Sequence, residues 1–279
     1  YNYGPAGGAG GLVGHAIDTP ESSPETIEQI EIDGLNIATN LGLPSGMIPG
    51  AVAGWLTRPS SSHGDSSVRR VAVRNTQLAG GAQAGGLAGH IHGWRVLEID
   101  VADSVTIASA SFVGGIAGRM DFSSLGLARS AATVQSFFQD GCFPGRVGGL
   151  VGYAGQTVRI HDSHADAQLG QLSETVQTAF GGLVGYVGLS DSIFQMFPWY
   201  RVTIERSSST SRVEACVGYQ PEGAYEGSGM GGLVGVATHF TEIRDSYAEA
   251  HVSPPEWCPP TYPSGGFIGE LYQHATVER

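Results

Sequence analysis

Two histidine pairs and a recurring set of carboxylates and arginines are the residues whose types and spacing suit chemistry. His90 and His92 are one residue apart, so on an extended strand they share a face and offer two imidazoles to a metal. The sequence places no third ligand beside them, and the expectation is surface histidines, with no metal ion and no cofactor. His161 and His164 form the other close pair. Asp162, Asp166, Glu205 and Asp245 recur near Arg159, Arg206 and Arg244. Paired carboxylates at a fixed separation can hydrolyse a glycosidic bond, whereas Asp and Arg stacked on successive strands make ladders of compensating charge. The ladder is the expected arrangement. There is no H-E-x-x-H, no G-x-S-x-G, no phosphate-binding loop and no D-x-D-x-D-G calcium loop. The chain is therefore read as a non-enzyme with no catalytic residue, and a polysaccharide lyase or glycosidase is the minority reading.

The elements that must position these residues announce themselves by repetition. Gly10-Gly11-Leu12-Val13-Gly14 returns as Gly85-Gly86-Leu87-Ala88-Gly89, Gly114-Gly115-Ile116-Ala117-Gly118, Gly148-Gly149-Leu150-Val151-Gly152, Gly181-Gly182-Leu183-Val184-Gly185, Gly231-Gly232-Leu233-Val234-Gly235 and Gly265-Gly266-Phe267-Ile268-Gly269. Gly50-Ala51-Val52-Ala53-Gly54 is a divergent copy. Successive boxes start 29 to 50 residues apart, the range in which one supersecondary unit stacks on the next. Glycines at both ends of an apolar pair suit sharp turns and close backbone approach. The apolar residues Leu12, Val52, Leu87, Ile116, Leu150, Leu183, Leu233 and Phe267 are expected to form one stacked row.

A second box follows each of the first. Its form is apolar-x-x-Ser-x-small, clearest at Ile160 with Ser163 and Ala165, and at Ile243 with Ser246 and Ala248. Weaker copies are anchored at Ile204, Leu127, Val101, Val73 and Ile32. The period of two predicts strands. Helix is poorly supported, with Pro24 to Gln29 as one short stretch that suits a single turn and a cap at the N-terminal end.

These paired boxes resemble the GLUG motif, which occurs in tandem in bacterial surface proteins, including large adhesins. The resemblance runs from Gly10 to Arg279. It implies a parallel β-helix-like stalk on a cell surface and brings no catalytic residues. The expected fold is all-β: a right-handed parallel β-helix or β-solenoid of about eight irregular coils with inserted loops. Residues 1–279 are read as a single repeat domain, with 1–30 as an N-terminal cap or docking segment.

Composition narrows the partners. The chain has 26 acidic residues against 14 basic ones and a net charge of -12, and every basic residue is Arg. A nucleic acid or an anionic membrane needs a positive face, so neither is expected, and no stretch is apolar enough for membrane insertion. Three cysteines without a C-x-x-C pair suit an oxidising exterior. Cys216 and Cys258 lie in Pro-containing insertions before consecutive Gly boxes and are expected to form a disulfide; Cys142 is then left over. Phe197, Trp199, Tyr200, Trp257 and Tyr262 on insertions either cover the sheets or contact a partner or ligand. Tyr1, Tyr3 and Val277 lie at the ends, where a strand edge invites docking. The expectation is a secreted or cell-surface structural or adhesive protein, a stiff stalk or head-to-tail filament that binds itself, a surface protein or a glycan. The alternative is a β-helical carbohydrate-active enzyme or carbohydrate-binding module.

Overall fold

Each Gly box folds into the same object. Its first glycine ends one short strand, the next two residues bend, and its fourth residue begins another strand, as in Phe112–Gly114 followed by Ala117–Asp121. The computed structural model describes residues 8–17, 25–38, 48–58, 66–137, 145–171, 178–188, 200–216, 227–238, 240–256, 258, 264–272 and 275–278, and these contain strands and no helix. The strands fall into four sheets in which the described pairings are parallel.

The first sheet has eight strands, from Gly8–Gly10 to Ser264–Gly265, and the second has eight, from Val13–Ile17 to Ile268–Leu271. The third is 12-stranded, beginning at Thr26–Asp33 and ending at Thr276–Glu278, and the fourth is 7-stranded, from Asn36–Ala38 to His251–Ser253. Among the described residues the chain visits the four in the same order in the first seven repeats and the first three of them in the eighth, and each interior strand pairs with its equivalent in the repeats before and after. Repetition in sequence thus becomes translation in space.

The bend between the first two sheets is held by a continuous backbone ladder. Leu12 N–H donates to Val52, Val52 to Leu87, Leu87 to Ile116, Ile116 to Leu150, Leu150 to Leu183, Leu183 to Leu233 and Leu233 to Phe267, at 2.8–3.2 Å. The six interior members, Val52 to Leu233, are fully buried, while Leu12 at one end is 56% exposed. Rows from the other sheets close the core: Val96, Leu125, Ile160, Ile204 and Ile243 on the third, and Leu78, Ile107, Val134, Leu169 and Val213 on the fourth.

The two sequence boxes touch. A Cβ at Gly149 would lie 2.1 Å from Gly182 O and 2.7 Å from the Ala165 side chain, and one at Gly182 would lie 2.0 Å from Gly232 O and 2.3 Å from Ser209 Oγ. In these repeats the second glycine of the first box packs directly on the small residue of the second. Inside that second box Ser163 and Ser207 hydroxyls donate to the carbonyls of His161 and Glu205, and accept from the N–H of Ala128 and Ser163 one repeat earlier.

Register corrects part of the sequence reading. Leu125, not Leu127, pairs with Ile160; Leu127 is 55% exposed in a left-handed conformation. Ile32, Val73 and Val101 also are not anchors, since Val101 aligns with Ser130 and so occupies the position of the small residue. The reason is a column of left-handed residues through the third sheet: Gln29, Arg70, Glu98, Leu127, Asp162, Arg206 and Asp245. This kink places inward residues on both sides of itself, so an apolar pattern alone fits two registers. Nor do the described residues of the Pro24 to Gln29 stretch, Glu25 to Gln29, form a helical turn. Thr26–Asp33 is a strand of the third sheet, because pairing with Ser67–Arg74 outweighs a weak local helix preference.

Candidate functional site

The second sheet carries a column of outward side chains in register: His15, Trp55, His90, Arg119, Tyr153 and Tyr186. Beside it runs a shorter column of Thr57, His92 and Asp121. The local cause is period two on two adjacent strands. Ile91 and Met120 turn into the core, so His90 and His92 on one strand and Arg119 and Asp121 on the next share the opposite face. The third ligand that sequence could not supply is Asp121, the in-register partner of His92. Metal-ligating atoms of His90, His92 and Asp121 lie within 4.8 Å of one another.

Burial and charge make this an unusual patch. Asp121 is 3% exposed and His90 9%. Asp121 Oδ2 lies 3.2 Å from His90 Nε2 and accepts from Arg119 Nε at 2.5 Å, while Oδ1 accepts from the Gln156 backbone N–H at 3.1 Å. Burial alone would raise the Asp121 pKa, but the Arg119 charge and the hydrogen bonds from His90 and Arg119 outweigh it and hold the carboxyl well below its ordinary range. Burial pushes the His90 and His92 imidazoles down, against the opposing pull of Asp121, which favours their neutral, ligand-competent form. Nδ1 of His90 is buried without a hydrogen-bond partner.

Aromatic rings wall the patch. Trp55 lies 4.8 Å from His90 between ring centroids, Phe122 lies 5.1 Å from His92, and Tyr200 meets Phe122 edge-on at 5.4 Å. Tyr200 thus packs on Phe122 beside the cluster. Farther along, Arg146 reaches from the first sheet over the rings of Phe112, Tyr153 and Tyr186.

Arg206 donates twice to Asp162 one repeat away, at 2.7 and 2.9 Å, Arg159 pairs with Glu205, and Arg244 Nε lies 3.2 Å from Glu278. These are the charge ladders, and they run on the outer face of the third sheet. Cys216 and Cys258 are bridged, with Cα atoms 5.5 Å apart. Val277 is 48% exposed and pairs with Ile243. Tyr1, Tyr3, Cys142, Phe197, Trp199, Trp257 and Tyr262 lie outside the described residues. A shallow groove of about 220 Å³ on the fourth sheet is lined by Gln135, Gln168, Arg212 and Glu214 among others; sequence reasoning did not anticipate it, since its members come from three separate repeats.

A family model described as the GLUG motif matches residues 226–253. Those residues take in the seventh Gly box and its serine box, including Thr241–Arg244, Tyr247–Ala248 and His251–Ser253. No curated protein and no solved structure is detectably similar to the chain. The chain contains a GLUG motif, and the structure gives that motif a physical form in a glycine bend packed against a serine-bearing kinked strand.

Proposed function

We propose that the four sheets wind as one right-handed β-solenoid and that the chain is a stiff, adhesive or filament-forming stalk of a secreted or cell-surface protein. The observation that carries this reading is the unbroken hydrogen-bond ladder through all the Gly boxes, from Leu12 to Phe267. Such a stack resists bending because every repeat is bonded to both neighbours. Right-handedness follows from the strong preference of parallel crossover connections. The disulfide suits an oxidising exterior.

Leu12, Val13 and Ile17 are exposed at one end of the stack, and Leu271, Tyr272 and Val277 at the other. A second copy docking head to tail would cover apolar rows and strand edges of this kind. The eight strands of each of the first two sheets span roughly 35 Å at the usual inter-strand spacing. Electron micrographs of the purified chain across a concentration series test the reading. Rods whose length grows in steps of about that size support it, and isolated particles of one unchanging size at every concentration overturn self-assembly.

A carbohydrate-binding module remains the second reading, because the groove on the fourth sheet carries the hydrogen-bonding side chains of Gln135, Gln168, Arg212 and Glu214. Binding to a glycan array that is abolished by Gln168→Ala and Arg212→Ala would favour it over the stalk alone.

A further inference from the structure

We propose that His90, His92 and Asp121 form a binding site for a first-row divalent transition ion of the zinc class, built between two adjacent strands of the second sheet. The donor set is the first reason. Two imidazoles and one carboxylate make the mixed nitrogen and oxygen set that zinc accepts, and three protein ligands leave a position for water or an incoming group. Calcium and magnesium call for a larger set of oxygens.

The second reason is a buried polar atom of the set that lacks a partner. His90 is 9% exposed, and its Nδ1 has no hydrogen-bond partner. Leaving a buried polar group unsatisfied costs about 1–3 kcal/mol, a cost natural folds rarely carry without a use. That unsatisfied atom belongs to the same imidazole whose Nε2 lies 3.2 Å from Asp121 Oδ2, inside the set of ligand atoms. Trp55 packs against His90 and Phe122 against His92, with Tyr200 on Phe122, and this ring surface limits exchange with bulk water.

Closing the site needs a small movement. Bond lengths of about 2.0–2.1 Å put tetrahedral ligand atoms roughly 3.3 Å apart, against the observed 4.8 Å limit. The half-buried His92 ring is the member with room to turn. Arg119 is the resident competitor, since its guanidinium neutralises the Asp121 oxygen that the ion would take. It has another seat at hand, its Cζ lying 5.2 Å from the centre of the Tyr153 ring. The metal and Arg119 thus compete for one carboxylate.

The test uses the full chain without an affinity tag. Zn²⁺ is titrated by calorimetry, its stoichiometry is read by elemental analysis after dialysis, and Co²⁺ absorption reports the coordination number. One ion per chain is expected. His92→Ala and Asp121→Asn should weaken it by at least the roughly 10–100-fold that loss of even an outer partner of a ligand costs; Arg119→Gln should tighten it. A double change of His161 and His164 to Ala should leave it unaltered. If Asp121→Asn does not fold, His92→Ala, on a partly exposed side chain, carries the comparison. No binding by the parent chain overturns the proposal. So does binding that survives His92→Ala, because the ion then sits elsewhere, and so does binding weakened by Arg119→Gln, because Arg119 would then help the ion rather than compete with it.

Discussion

Asp162 shows how a single side chain reports on the charge ladder of the third sheet. It sits in the left-handed kink, accepts two hydrogen bonds from Arg206 and one from His161. The Arg206 hydrogen bond is the main cause, with His161 next, that holds its pKa well below the ordinary aspartate value. A carboxyl depressed in the folded state stabilises that state above its unfolded pKa, near pH 4, and the contribution is lost as pH falls through the folded value. Melting curves from pH 7 down to pH 2 should therefore show the parent chain above Asp162→Asn at neutral pH, with the gap narrowing below about pH 4. The pair is exposed, so the gap is small and shrinks further in salt. A gap that widens on acidification would contradict the ladder.

At this same scale the sequence was only half legible. His90 and His92 could be placed on one face from spacing alone, because strand period is a local property. Asp121 could not, because its place beside His92 depends on which residue of the next repeat pairs with it, and the interval between boxes varies. Tyr200 was visible as an insertion aromatic, but that it meets Phe122 needed the fold.

At the scale of the element, the Gly box was the most legible feature, since its constant internal spacing survives every insertion. The serine box was misread in the first four repeats, where the kink admits two apolar registers and larger residues such as Val101 replace the small one. Glycines in the two settings should respond with opposite sign to the same change. Gly149→Ala drives a Cβ to 2.1 Å from the Gly182 carbonyl oxygen, a contact that only backbone movement can relieve. It should cost at least the roughly 2–5 kcal/mol of a large core truncation such as Leu150→Ala. Gly170, on the fourth sheet, has nothing within 4 Å of the Cβ it would gain. Gly170→Ala should raise stability by about 0.4–1 kcal/mol through the unfolded chain. Urea denaturation of the two variants decides, and a cost at Gly170 equal to that at Gly149 would mean that close packing is not what selects glycine in the box.

The disulfide acts between elements. Cys216 follows Arg212–Glu214 of the fourth sheet in the sixth repeat, and Cys258 follows His251–Ser253, its neighbour in the seventh. The bridge closes a loop with a sequence separation of 42, for which the chain-entropy model gives about 4 kcal/mol. Replacing both residues with Ser should lower the denaturation midpoint by a corresponding amount. The loss should concentrate in the last repeats, which limited proteolysis can locate. Cleavage appearing first in the central repeats would argue against that assignment.

For the whole molecule, the consequence of nearest-neighbour bonding is a gradient. A stack in which each repeat is bonded only to those beside it frays from its ends, and its interior opens only when several repeats open together. The central members of the Gly-box row, Leu87 to Leu233, are fully buried, whereas Leu12 and Val277 are exposed. Hydrogen exchange should therefore be slowest at the amides of Ile116, Leu150 and Leu183 and fastest in the first and last repeats. The amides of the ends separate the assembly reading from the isolated stalk. The Asp245 N–H donates to the Glu278 carbonyl, so the last strand already serves the repeat before it, and its other edge is what a docking copy would cover. In a head-to-tail filament, protection of Val277 and Leu12 should rise together as protein concentration rises, because one contact buries both. Protection that rises at one end alone would point to a different, unlike partner, and protection independent of concentration would show that neither end docks onto its own kind.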